Sequence, residues 1–159
     1  NQTNTQEILL LGGEASKLVT KKSDYLKLVK RLRVRGMAHV SMTGEVVPAR
    51  AVKPPCNCRM GCSKKISDQR RLEIHRYFWD LPTWEQKRNL VAAEVCERPK
   101  NRSRIDPSRV SRRRMTRSYS LQVESGLLTP VCKIMYLHTY DVSESFVEIV
   151  LSKKSKNRR

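Results

Sequence analysis

Apolar positions along this chain fall mostly at helical spacing. Over residues 23–35, Tyr25, Leu28, Val29 and Leu32 share one face, Ser23 or Asp24 suits the start, and Gly36 is placed to end the helix. Ser67 is typed to cap a helix through about Trp79 that buries Leu72, His75, Phe78 and Trp79, and Leu81-Pro82 breaks it. Thr83 to Gln86 has capping-box spacing and opens a further helix through about Val95, on which Trp84, Leu90, Val91 and Val95 pack. Residues 131–154 organise the rest. There Ile134, Met135 and Leu137 lie near one face of a short helix, the turn Tyr140-Asp141-Val142-Ser143 follows, and Phe146, Val147, Val150 and Leu151 recur in a second helix with Ser143 as N-cap.

Strand periodicity is confined to short pieces. Residues 37–49 alternate weakly around Thr43-Gly44, with Pro48 demoting the second strand to an edge. Tyr119, Leu121 and Val123 alternate ahead of Ser125-Gly126, and Leu127 to Val131 returns. The expected fold is therefore mainly α with small β-hairpins, a helix-turn-helix-like pair at the C-terminal end and a cysteine loop stapled by zinc. Residues 1–22 are expected to be a flexible lead-in, 23–154 one module, and 155–159 a basic tail.

Charge narrows what such a module meets. In 159 residues, 33 are Lys or Arg and 15 Asp or Glu, giving a net charge of +18. That balance exceeds what solubility requires and points to a polyanion, nucleic acid before a membrane surface, because no apolar run approaches the ~20 residues of a spanning helix. Within residues 97–117 the cations concentrate. Arg98, Lys100, Arg102, Arg104, Arg109, Arg112, Arg113, Arg114 and Arg117 are interrupted by Pro99 and Pro107 with almost nothing apolar between them, which reads as a flexible basic loop able to order along phosphates and to direct nuclear localisation.

Cysteine usage adds a metal. Cys56, Cys58 and Cys62 form C-x-C-x3-C in a polar loop after Pro54-Pro55, where three thiols are hard to explain as core packing, and zinc coordination explains them better than a disulfide framework or unligated thiols. A structural site wants a fourth ligand. Cys132, at the entrance of the helix pair, would staple a modest core where it needs support, with His75 or Cys96 as the alternatives. Catalysis is not indicated: no phosphate-cradling glycine motif, nucleophile-His-acid motif or paired-carboxylate pattern stands out, so a non-enzyme is expected.

The ordered series Gly36, Thr43-Gly44-Glu45-Val46-Val47-Pro48-Ala49-Arg50, Pro54-Pro55-Cys56-Asn57-Cys58, Gly61-Cys62-Ser63-Lys64-Lys65-Ile66-Ser67, Phe78-Trp79-Asp80-Leu81 and Val131-Cys132-Lys133 resembles a largely uncharacterised family of insect and other arthropod proteins. In longer members this region precedes a segment similar to a transposase-type RNase H domain. The resemblance implies a DNA-binding amino-terminal module derived from a cut-and-paste element, and it places Cys56, Cys58, Cys62 and Cys132, but neither His75 nor Cys96, on motif cysteines. The chain ends where longer members continue, so transposase chemistry is not carried over.

The expected function is recognition of double-stranded DNA by a zinc-stapled module without enzymatic activity. Ser145, Glu148, Ser152 and Lys153 on the last helix would face base edges, while Lys133, Lys154 and the Arg-rich stretch hold phosphates. Glu144 and Glu148 count against groove reading unless they face away or accept from cytosine N4. A nuclear protein-interaction adaptor and an RNA-binding module are the alternatives.

Overall fold

The computed structural model describes residues 22–99, 115–124 and 127–156. It shows a mixed α/β fold, mostly helical, with small antiparallel sheets. Helix α1 (Lys22–Val34) leads into a hairpin of β1 (His39–Val40) and β2 (Val46–Val47), paired His39 to Val47 and Val40 to Val46 around Gly44. An extended segment then reaches the short helix α2 (Cys62–Lys65). Helices α3 (Asp68–Asp80) and α4 (Trp84–Glu94) follow, and both begin where the sequence places their caps: the Ser67 hydroxyl accepts from Arg70 N–H at 3.2 Å and the Thr83 hydroxyl from Gln86 N–H at 3.2 Å.

Helix α4 runs straight into β3 (Val95–Pro99), which pairs with β4 (Met115–Glu124), itself paired with β5 (Leu127–Val131) in a three-stranded antiparallel sheet ordered β3-β4-β5. Two strands of this sheet are the expected hairpin. The third corrects the expected loop of residues 97–117 at both ends, because Glu97 pairs with Arg117, Arg98 with Thr116 and Pro99 with Met115. Helices α5 (Lys133–Tyr140) and α6 (Glu144–Lys156) complete the fold, separated by Asp141 in the left-handed conformation (φ 51°), Val142 and Ser143, whose hydroxyl accepts from Phe146 N–H.

The core gathers Phe78 and Trp79 from α3, Val91 from α4, Val95, Tyr119, Leu121 and Val131 from the sheet, Met135, Tyr136 and Tyr140 from α5, and Val147, Val150 and Leu151 from α6. The aromatics interlock, with Trp79 edge-on to both Phe78 and Trp84 at 5.2 and 6.0 Å between ring centroids. Two inward faces differ from the expected ones. On α3, Arg71 is buried and Leu72 is 39% exposed; on α5, Ile134 is 52% exposed while Tyr136, Thr139 and Tyr140 turn inward with Met135. In each case a polar side chain takes the inner position because the interior supplies it with hydrogen-bond partners.

Candidate metal centre and surrounding surface

Three of the clustered thiols come from one tight local structure. Gly61 adopts φ 63°, a left-handed conformation that glycine enters without strain, so the chain doubles back: Gly61 N–H donates to the Cys58 carbonyl at 3.0 Å, and Cys62 then opens α2. Ser63 Oγ donates to the Cys56 carbonyl at 2.9 Å and folds the first cysteine back onto the turn. The fourth thiol arrives from a distant part of the chain. Cys132 is the N-cap of α5, its Sγ accepting from Met135 N–H at 3.3 Å, and its own N–H donates to Cys62 Sγ at 3.2 Å.

The Sγ atoms of Cys56, Cys58, Cys62 and Cys132 all lie within 4.8 Å of one another, and the group could hold one metal ion. Cys58 Sγ stands 3.5 Å from the Sγ of both Cys56 and Cys62. A tetrahedral ion with metal–sulfur bonds of about 2.3 Å needs sulfurs about 3.8 Å apart, so small side-chain rotations close the set. Electrostatics divides the thiols. The backbone N–H of Cys62 and the neighbouring thiols bring Cys58 down to about 6, whereas burial pushes Cys56 up to about 12 and raises Cys62 as well. Neither alternative fourth ligand joins them. His75 is buried on α3 beside Trp79, its Nε2 without a hydrogen-bond partner among the described residues and burial lowering its pKa, and Cys96 is exposed on β3.

Beside the cysteines a groove of about 730 Å³ runs between the sheet and the start of α6, lined among others by Met60, Met115, Tyr119 and Cys132. Along it lies an ion-pair network that engages several cations expected to hold phosphates. Arg117 contacts Glu97 at 2.9 Å, Glu148 at 3.1 Å and Glu144 at 3.9 Å, and its hydrogen bonds to Glu97, foremost, and Glu148 raise its pKa. Lys133 pairs with Glu144 at 2.5 Å, while Lys154 is half-buried and donates to the Ala92 carbonyl at 2.5 Å. Ser145, Glu148, Ser152 and Lys153 are exposed on α6, as is Arg98 on β3. Lys100, Arg102, Arg104, Arg109, Arg112, Arg113 and Arg114 lie outside the described residues.

Sequence reasoning missed two buried polar centres. Glu94, 3% exposed, accepts from the hydroxyls of Tyr136 and Tyr140, each at 2.9 Å, and from Gln122 N–H at 3.3 Å; burial raises its carboxyl. Lys87 donates to the Phe78 carbonyl and lies 4.9 and 5.0 Å over the rings of Phe78 and Trp79, with burial lowering it to about 8. The signal was present: Trp84, Lys87, Val91 and Glu94 share one helical stripe, so two charged residues sit among apolar ones.

A third centre surrounds the turn between α5 and α6. Asp141 pairs with Lys53 at 2.6 Å and Arg50 at 3.7 Å, Trp79 Nε1 donates to the Tyr140 carbonyl at 2.9 Å, and Lys53 N–H donates to the His138 carbonyl at 2.9 Å. The extended segment before the cysteines is thereby fastened across the C-terminal end of α5.

No protein-family model matches the chain, and neither a curated protein nor a solved structure matches it.

Proposed function

We propose that this chain is a zinc-stapled module that binds double-stranded DNA in the nucleus, without enzymatic activity, and derives from the DNA-binding region of a cut-and-paste transposon. The observation that carries the reading is the fate of the charges. Several acidic side chains are used internally, Glu94 by tyrosines, Asp141 by Arg50 and Lys53, and Glu97, Glu144 and Glu148 by Arg117 and Lys133, while the chain retains a net charge of +18. Such an excess attracts a polyanion and releases its counterions. The motif series described above supports the transposon derivation.

Zinc suits the donor set, four thiols and no oxygen ligand among them, and would act structurally by tying the entrance of α5 to the cysteine turn. Helix α6 offers Ser145, Glu148, Ser152 and Lys153 on its exposed side, and Arg98 with the remainder of the Arg-rich stretch holds phosphates. Arg117, Lys133 and Lys154 serve instead to fix α6 against the sheet, the start of α5 and α4, respectively. Arg117 also neutralises the Glu148 carboxylate, which lowers the repulsion of that carboxylate for phosphate and leaves it able to accept from cytosine N4.

Selection from a random duplex library at about 150 mM salt tests the reading, because non-specific phosphate binding is already weakened there. Enrichment of a short motif, changed by Glu148→Gln, is the expected result. Absence of duplex binding, together with salt-insensitive capture of a protein partner, would replace the reading with that of an adaptor.

A further inference from the structure

We infer that the outer side of α1 and the turn at its exit form a second duplex-binding surface, holding the phosphate backbone through Lys30, Arg31 and Arg33 on the helix and Arg35 just past its end. This deepens the DNA-binding reading and rests on it. All four side chains are exposed, and among the described residues none has a carboxylate within ion-pair distance. The contrast with α6 decides the matter. Arg117 and Lys133 beside α6 are committed to Glu97, Glu144 and Glu148, so phosphate would have to compete with carboxylates already in place, whereas among the described residues no carboxylate pairs with Lys30, Arg31, Arg33 or Arg35, and Asp24 on the same helix pairs with Lys27 instead.

The face is also mounted firmly. Val29 is buried, and Tyr25 Oη donates to the Val40 carbonyl at 3.0 Å. At the helix exit, Gly36 lies so close to Trp79 that a Cβ there would stand 2.6 Å from the indole, and its carbonyl accepts from Arg50 N–H at 2.7 Å. A rigid support spends less ordering entropy on binding than a free basic tail does.

A cluster of cations near a helix C-terminus has a simpler explanation in the helix dipole, and Arg31 and Arg33 do occupy the last turn. The turn at Gly36 removes much of that need. The N–H groups of Arg35, Gly36 and Met37 already donate to the carbonyls of Arg31, Arg33 and Leu32, covering the oxygens that would otherwise both attract cations and repel phosphate. Arg50, beside Gly36 and 3.7 Å from Asp141, joins this corner to the turn between α5 and α6.

The experiment is duplex affinity of the full chain as a function of salt, for the wild type, for the quadruple variant Lys30→Gln, Arg31→Gln, Arg33→Gln, Arg35→Gln, and for a charge-conserving exchange of Lys and Arg at the same positions. Four lost phosphate contacts should flatten the slope of log K against log salt by about 3 to 4, equally for any duplex sequence, and each single substitution by about 0.9. The charge-conserving chain should regain the wild-type slope. Circular dichroism checks that the quadruple variant is folded; if it is not, the four single variants carry the same test. An unchanged slope in the folded variants, with the wild type binding DNA normally, overturns this surface and leaves the DNA-binding reading standing. A wild type that does not bind duplex at any salt overturns both.

Discussion

The backbone N–H of Cys132 donates to the thiol of Cys62, 70 residues earlier in the chain, at 3.2 Å. This bond places the cap of α5 against the cysteine turn independently of any metal, so the two parts meet in a defined geometry. One zinc ion per chain is expected by elemental analysis. Cys132→Ser and Cys58→Ser should each abolish stoichiometric zinc, Cys96→Ser should retain it, and chelation should lower the melting temperature of the wild type while leaving that of Cys132→Ser nearly unmoved. Full zinc occupancy in Cys132→Ser would exclude this thiol as the fourth ligand.

Gly36→Ala tests the mount of α1. The residue has φ +64°, and an added Cβ would lie 2.6 and 2.7 Å from Trp79 Cε3 and Cδ2. Left-handed backbone at a non-glycine residue and displacement of a packed indole together should cost about 2 to 4 kcal/mol, read from urea unfolding. A loss below about 0.5 kcal/mol would mean that the contact does not persist in solution.

Glu94 gives the protein a pH signature. Burial raises its folded-state pKa above the ordinary 4.5, so between those values the folded chain holds a proton that the unfolded chain has released. Its contribution is therefore complete below about pH 4.5 and declines as pH rises through the folded pKa. Unfolding free energy measured from pH 4 to 8 should show this decline in the wild type and lack it in Glu94→Gln; parallel profiles would contradict the assignment. Glu94→Ala should be worse than either at every pH, by about 3 kcal/mol, because Tyr136, Tyr140 and the Gln122 N–H lose their buried acceptor.

Arg71 and Leu72 exchange the roles that hydrophobicity suggests. Arg71 is 1% exposed and donates to Thr139 at 3.1 Å, Asp68 at 3.0 Å and the Lys53 carbonyl at 2.7 Å, so Arg71→Ala should cost about 3 kcal/mol. Leu72→Ala should cost less than about 1 kcal/mol. The opposite order would restore the helix rotation expected from apolar spacing.

That exchange marks the limit of what the chain discloses before folding. Caps at Ser67, Thr83 and Ser143, the hairpin around Gly44 and the terminal helix pair were legible because each depends on neighbours in sequence. So was the association of Cys132 with the cysteine loop, where the requirement for a fourth ligand supplied a long-range constraint. Strand β3 was not legible, because Glu97 and Arg98 are polar and become strand only by pairing with Arg117 and Thr116. Nor were the inward positions of Arg71, Tyr136 and Glu94, since a polar residue's burial depends on partners contributed by other elements.

Helix α4 ends at Glu94 and β3 starts at Val95, with no residue between them to absorb a change of length. Val95 points into the core and Cys96 outward, so one residue inserted at this joint would reverse the two faces of β3 and carry Glu94 away from its tyrosines. Descendants of this sequence can therefore drift in composition across the junction, yet their spacing through it should stay fixed, a mark by which distant copies remain alignable after their side chains have diverged.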